Sequence, residues 1–229
     1  MRSSHLARLA ALALSSALVL SACGGPGSSP SSAPSQGGTT GETAEQTSYK
    51  SELNIGIAAN PPSLDPHGIN SNIVGGIGMH IYEPLFTLNA DYEPTPVLAD
   101  SYTVSDDGLV YTITLRQGVL FHNGQEMTAD DVVASMNLWL ERCSKAELIS
   151  GSTFAKADDY TVTLTVPQAS SDIINILAAP IQFAAIYPKS VVDAAGPDGI
   201  TEYIGTGPYK LVEWLQDQYV KLTRFEDYQ

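Results

Sequence analysis

Apolar and polar positions alternate along several stretches of this 229-residue chain. Leu53-Asn54-Ile55-Gly56-Ile57-Ala58 puts apolar side chains at every second position, which predicts a strand, and Asn60-Pro61-Pro62 must end it. Tyr102-Thr103-Val104 and Leu109-Val110-Tyr111-Thr112-Ile113-Thr114-Leu115 flank Asp106-Asp107-Gly108, a hairpin signal because Asp-Gly tolerates positive φ. Tyr160 to Val166 alternates large side chains with threonine, the signature of a half-buried strand that Pro167 ends. Tyr209 to Trp214 and Tyr219 to Phe225 predict a second hairpin.

The period changes from two to 3.6 after Thr128. Asp131, three residues on, forms an acid-containing variant of the capping box, and the helix it opens carries Val132, Met136, Trp139 and Cys143 on one face. Cys143 is therefore expected in the core, and no His or second cysteine lies nearby in sequence to activate its thiol. Shorter helices are predicted over 172–178 and 189–195, the second closed by Gly196-Pro197. Strands and helices together give a mixed α/β or α+β fold, and no internal repeat is present.

The N-terminus changes the picture of where this fold resides. Arg2 and Arg8 precede an apolar run from Leu9 to Leu20 that ends in Leu20-Ser21-Ala22-Cys23, the layout of a bacterial export signal. A hydrocarbon core needs roughly 20 helical residues, more than this run supplies. Leu-Ser-Ala-Cys resembles the lipobox of bacterial lipoproteins, so residues 1–22 are expected to be removed and Cys23 to carry the lipid. Residues 24–48 contain no Val, Ile, Leu, Met or aromatic side chain, and so make a disordered linker. As a flexible tether they would span roughly 25 to 30 Å.

Charge excludes one class of partner. Removal of residues 1–22 takes two arginines and no acids from a chain of formal charge −14, leaving −16. Such a surface repels phosphate backbones, so nucleic acid is not an expected partner, and membrane association would rest on the acyl chains. With Cys23 lipidated, Cys143 has no partner for an internal disulfide.

Eight short motifs in order resemble the solute-binding proteins of the peptide, dipeptide and nickel importers, family 5. They are Ser63-Leu64-Asp65-Pro66, Tyr82-Glu83-Pro84-Leu85, Pro96-Val97-Leu98-Ala99-Asp100-Ser101, Ser105-Asp106-Asp107-Gly108-Leu109, Leu115-Arg116-Gln117-Gly118-Val119, Phe121-His122-Asn123-Gly124, Thr128-Ala129-Asp130-Asp131-Val132 with Ser135, and Gly205-Thr206-Gly207-Pro208-Tyr209-Lys210-Leu211. The family commonly has His-Asp-Gly where this chain has His122-Asn123-Gly124, and its members are about twice as long. The resemblance implies a type II periplasmic-binding-protein fold, with residues 49–75 starting the first lobe, 76–170 forming the extra domain of peptide binders and 171–229 returning to the first lobe. The second lobe would be largely missing. It further implies a monomeric, lipid-anchored protein outside the cytoplasmic membrane that hands peptides or similar solutes to the permease subunits of an ABC importer, without enzymatic activity or cofactor. Nickel uptake occurs within the same family and is the alternative.

The resemblance also points to a ligand-facing loop, Asn60-Pro61-Pro62-Ser63, because the first strand of that fold ends at the cleft and two prolines hold the backbone preorganised. The bland alternative is a loop that only turns the chain. Gly205-Thr206-Gly207-Pro208-Tyr209 lacks the spacing of a phosphate loop. His80 and Glu83, spaced i, i+3, are conceivable metal ligands, but Pro84 ends any helix there and no metal site is expected. Ser135, His122 and Asp130 or Asp131 are the residue types of a hydrolytic set; Ser135 falls mid-helix, no Gly-x-Ser-x-Gly elbow exists, and no catalytic residue is expected.

Overall fold

Strands with one apolar and one threonine face bury only the first, so a helix must cover that side. The computed structural model, which describes residues 50–229, shows this arrangement in the unit Asn54–Gln229. Four antiparallel strands form a sheet in the order β3 (Ala99–Val104), β4 (Val110–Leu115), β6 (Thr161–Thr165), β5 (Thr153–Asp158). Tyr111, Ile113 and Leu115 of β4, Val162 and Leu164 of β6 and Phe154 of β5 are buried, while the threonines between them look outward. Helix α2 (Ala129–Arg142) packs against β5 and β6 and contributes Val132, Met136 and Trp139, all fully buried, with Cys143 just beyond it. Burying a large apolar side chain of this kind stabilises the fold by about 1.5–3 kcal/mol.

Capping follows the expected chemistry. The Thr128 N–H donates to Asp131 Oδ2 at 2.9 Å, so the acid three residues on satisfies the N-cap backbone. In the β3–β4 turn only Gly108 takes a positive φ, +71°, and its N–H donates to the Ser105 carbonyl, while Ser105 Oγ and Asp107 Oδ1 stand 2.6 Å apart. The remaining elements are α1 (Asn72–Ile81), the short ladder β1 (Phe86–Leu88) with β2 (Pro94–Pro96), a 3₁₀ turn (Ser144–Ile149), α3 (Ile173–Leu177), α4 (Lys189–Asp193) and the hairpin β7 (Tyr209–Leu215) with β8 (Tyr219–Arg224).

Apolar side chains gather in two clusters. The larger lies between the sheet, α2 and α3; the smaller joins Leu64, Ile81, Tyr82, Phe183, Tyr187, Val191 and Ile200 and receives Leu211, Trp214, Val220 and Leu222 from the hairpin.

One predicted element is corrected. Residues 54–58 form no strand and join no ladder among the described residues, and Ile55 and Ile57 are 69% and 50% exposed. Alternation supplies side chains for a sheet face, but a strand also needs a neighbour for its backbone groups, and every described strand pairs elsewhere. The export signal, Cys23 and the linker to Ser48 lie outside the described residues.

Candidate functional site

The predicted ligand loop leads directly into a buried polar knot. In Asn60-Pro61-Pro62-Ser63, Pro61 is buried, Asn60 and Pro62 are exposed and Ser63 is half-buried. Ser63 Oγ accepts the N–H of Asp65 at 3.0 Å, which turns the chain inward. The Asp65 carboxylate, 2% exposed, is then held from every side. Its Oδ1 accepts the His67 N–H at 3.0 Å and the Tyr187 hydroxyl at 2.8 Å. Its Oδ2 accepts the Ile200 N–H at 3.3 Å and faces Arg142 Nη1 at 3.7 Å. The other end of the guanidinium donates to the Gly196 carbonyl at 2.7 Å.

Gly199 makes this approach possible. Its φ is +101°, and a Cβ there would stand 2.7 Å from Asp65 Oδ2. Beside the knot lies an open cavity of about 250 Å³, lined by Ser63, Asp65, Ile69, Arg142, Asp198 and Gly199 among others. The loop predicted from sequence therefore reaches this cavity through Ser63 alone; Asn60, Pro61 and Pro62 do not line it.

His67 belongs to the same knot. Fully buried, its Nε2 donates to the Ala185 carbonyl at 2.9 Å, which leaves Nδ1 as a lone-pair acceptor without a partner in the protein. Burial pushes its pKa down to about 4 against the opposing pull of the Asp65 carboxylate, so the ring is neutral at ordinary pH. The Tyr187 ring packs on His67 at 4.7 Å and edge-on to Tyr82 at 5.1 Å. Burial raises both phenols well above their usual range, and the Tyr82 hydroxyl has no protein partner.

The other sequence candidates are engaged elsewhere. Ser135 Oγ donates to the Tyr187 carbonyl at 3.1 Å and accepts the Tyr187 N–H at 2.9 Å. Asp131 Oδ1 accepts the Lys189 N–H at 2.7 Å. His122 clips the Gly205–Gly207 turn: its Nε2 donates to the Gly207 carbonyl at 2.9 Å and its Nδ1 accepts the Gly205 N–H at 3.3 Å. Burial lowers the pKa of this ring too. Ser135 and Asp131 thus both hold the backbone between Tyr187 and Lys189 while His122 holds the Gly205–Gly207 turn, and no nucleophile–base pair is assembled from them.

The glycine turn is a packing device. A Cβ at Gly205 would collide with the Ile81 carbonyl, and one at Gly207 would stand 2.7 Å from the Ile81 carbonyl carbon. Thr206 and Tyr228 each donate a hydroxyl to Glu83 at 2.9 Å, and burial raises the Glu83 pKa. The Glu83 carboxylate is thereby turned to these hydroxyls, while exposed His80 lies edge-on to Tyr209. Among the described residues no group of three or more His, Cys, Asp and Glu is placed to hold a metal ion.

The sequence and the fold both match known proteins. The profile of the bacterial extracellular solute-binding proteins, family 5 Middle, matches residues 93–229, more than half of the chain. The chain belongs to family 5. A curated relative, the glutathione-binding protein GsiB of Salmonella paratyphi A, is 37% identical over 180 residues, covering 76% of this chain and 34% of the relative. The structure of NikA from Brucella suis in complex with Fe(III)-EDTA superposes with a TM-score of 0.69 at 31% identity, covering 77% of this chain and 36% of that one. The oligopeptide-binding protein AppA of Bacillus subtilis, in complex with a nonapeptide, gives 0.64 at 28% identity, covering 74% and 35%. The family 5 chain described here thus spans about a third of the length of the relatives it matches, and it shares their periplasmic-binding-protein fold over that third.

Among the residues of the knot, Asp65 and His67 lie in or beside a motif quoted from sequence. Arg142, Tyr187 and Gly199 were not singled out. The Pro197-Asp198-Gly199 turn was the one local signal for Gly199; nothing local marks the others.

Proposed function

We propose that this chain is the first-lobe portion of a substrate-binding lipoprotein that captures di- or oligopeptides outside the cytoplasmic membrane and delivers them to an ABC importer. It acts by binding, without catalysis or cofactor, and as a monomer. The observation that carries the reading is the 37% identity to a glutathione-binding protein over 180 residues, since glutathione is itself a small peptide. The nonapeptide complex among the structural relatives supports the same ligand class. Cys23 is the lipid attachment point, and residues 24–48 are the tether.

Residues 49–75 and 171–229 are assigned to the first lobe and 76–170 to the extra domain. The smaller apolar cluster, which joins Leu64 to Phe183 and Leu222 together with Ile81 and Tyr82, supports the grouping of 49–75 with 171–229. Asn60, Pro61, Pro62 and Ser63 are assigned to the ligand-facing edge, and the cavity supports this for Ser63.

Closed sites of this kind bury 70–90% of a small ligand's surface. Residues 49–229 alone are therefore expected to bind peptide weakly or not at all. Isothermal titration with glutathione, a dipeptide and a nonapeptide tests this, and micromolar affinity by residues 49–229 refutes it. Completion by the polypeptide that follows the matched segment in GsiB is expected to restore binding; uptake of none of the three peptides by the completed protein overturns the ligand assignment.

A further inference from the structure

Asn123 is the only asparagine of the chain that is followed by glycine. Attack of the next backbone nitrogen on an asparagine Cγ closes a five-membered ring, and glycine, lacking a Cβ, hinders that attack least. Asn123 and Gly124 are both exposed, and a Cβ at Gly124 would meet nothing within 4 Å. The reacting groups thus stand open to the water and hydroxide that the reaction consumes.

The local geometry favours one half of the reaction and restrains the other. Asn123 Oδ1 accepts the Gln125 N–H at 3.0 Å, which folds the carboxamide back over the Gly124 peptide. That donor polarises the side-chain carbonyl and takes up the negative charge its oxygen gains during attack, in the manner of an oxyanion-hole donor. Against this, the Gly124 N–H donates to the Phe121 carbonyl at 2.8 Å and the Phe121 N–H to the Gln125 carbonyl at 2.8 Å. Both bonds close a short surface turn, a segment of the kind that opens locally at small cost. The Asp107-Gly108 and Asp198-Gly199 turns also place their glycines at positive φ, +71° and +101° against +83° at Gly124, but a carboxylate carbon resists attack where a carboxamide carbon accepts it.

We propose that Asn123-Gly124 is a spontaneous deamidation site whose isoaspartyl product loosens the His122 clip. The Gly124 nitrogen gives its proton to hydroxide and bonds to Asn123 Cγ; the bond from Cγ to Nδ2 breaks, and Nδ2 takes a proton from water and leaves as ammonia. Water then opens the cyclic imide, at Cγ to give aspartate or at the main-chain carbonyl to give isoaspartate. The aspartyl product keeps an acceptor for the Gln125 N–H. The isoaspartyl product adds a methylene to the backbone directly after His122, whose N–H donates to the Gly205 carbonyl at 2.9 Å, whose ring binds Gly205 and Gly207, and which lies edge-on to Phe225 at 5.0 Å. The lengthened link pulls His122 away from these partners. The inference is independent of which solute is captured.

The test ages the folded 229-residue chain at neutral and mildly alkaline pH without ligand, separates the more negative species by ion exchange and maps it by mass spectrometry. Conversion is expected at Asn123, faster with rising pH and by about ten-fold or more than at exposed Asn70, Asn72 and Asn89, which precede Ser, Ile and Ala. An isoaspartyl-specific methyl-transfer assay is expected to label the aged chain and not freshly made Asn123→Asp. Asn123→Ser keeps a hydroxyl acceptor for the Gln125 N–H and has no carboxamide, and is expected to show no charge shift at this peptide. Hydrogen exchange over 205–207 is expected to quicken several-fold in the isoaspartyl fraction and to stay at the parent rate in Asn123→Asp. Conversion only in urea, or at equal rates at all four asparagines, overturns the site. Unchanged exchange over 205–207 in the isoaspartyl fraction overturns the loosening of the clip.

Discussion

Asp65→Ala removes the acceptor at the centre of the knot. Three donors lose their partner: the His67 N–H, the Tyr187 hydroxyl and the Ile200 N–H, with the Arg142 guanidinium left facing an empty space. Breaking a buried ion pair from one side costs about 3–5 kcal/mol. The Arg142 side chain is partly exposed and the adjoining cavity of about 250 Å³ admits water, which relieves the guanidinium and places the cost at the lower end. The buried Tyr187 hydroxyl and His67 N–H gain no such relief. The expected loss is therefore about 3–4 kcal/mol, or a fall in thermal midpoint of roughly 6–16 °C for a unit of this size. Asp65→Asn keeps an oxygen for Tyr187 and His67 and is expected to lose less than half as much. Differential scanning calorimetry of residues 49–229 and both variants checks this. A fall of less than about 3 °C for Asp65→Ala, or equal falls for the two variants, refutes the claim that charge and buried acceptors at Asp65 hold the knot.

Further outcomes follow from neighbouring groups. His67 has a folded pKa of about 4 against an unfolded value of 6.5, so the unfolded chain binds the extra proton between these values; stability is full above pH 6.5 and falls as pH drops toward 4, by about 3 kcal/mol for this group. Glu83 has the opposite sign, its raised pKa favouring the fold as pH falls, so urea midpoints from pH 7 to 4.5 are expected to decline more steeply in Glu83→Gln than in the parent and less steeply in His67→Gln. Gly199→Ala forces a side chain into φ +101° and against Asp65 Oδ2, and is expected to cost about 2–4 kcal/mol by chemical denaturation. Tyr82→Phe deletes a buried hydroxyl without a protein partner and is expected to be neutral or to stabilise by up to about 1 kcal/mol; a loss above about 1 kcal/mol would show that the hydroxyl has a partner after all.

Local signals served well where a single segment determines its own structure. The Thr128–Asp131 cap, the apolar face of α2, the Asp107-Gly108 turn and the β7–β8 hairpin were all legible in sequence. Helix α1 was not, because Gly75, Gly76 and Gly78 hide its periodicity. Tertiary packing overrides that weak propensity, with Gly78 letting Phe183 approach to 3.3 Å of where a Cβ would be. Strand β5, Thr153-Phe-Ala-Lys-Ala-Asp, has little β propensity of its own and forms on the template of β6. Residues 54–58 are the reverse case, a clear pattern with no ladder partner among the described residues. The knot was only half legible: Asp65 stands in a motif, but its partners lie up to 135 residues away and nothing in the local pattern names them.

That separation has a kinetic meaning. A ribosome releases Asp65 early, yet the Tyr187 hydroxyl and the Ile200 amide that satisfy it emerge 122 and 135 residues later. Closing so large a loop is slow, and until then the N-terminal segment holds a charged group that resists burial. The knot around Asp65 can therefore set only late in synthesis, after the chain has emerged past Ile200.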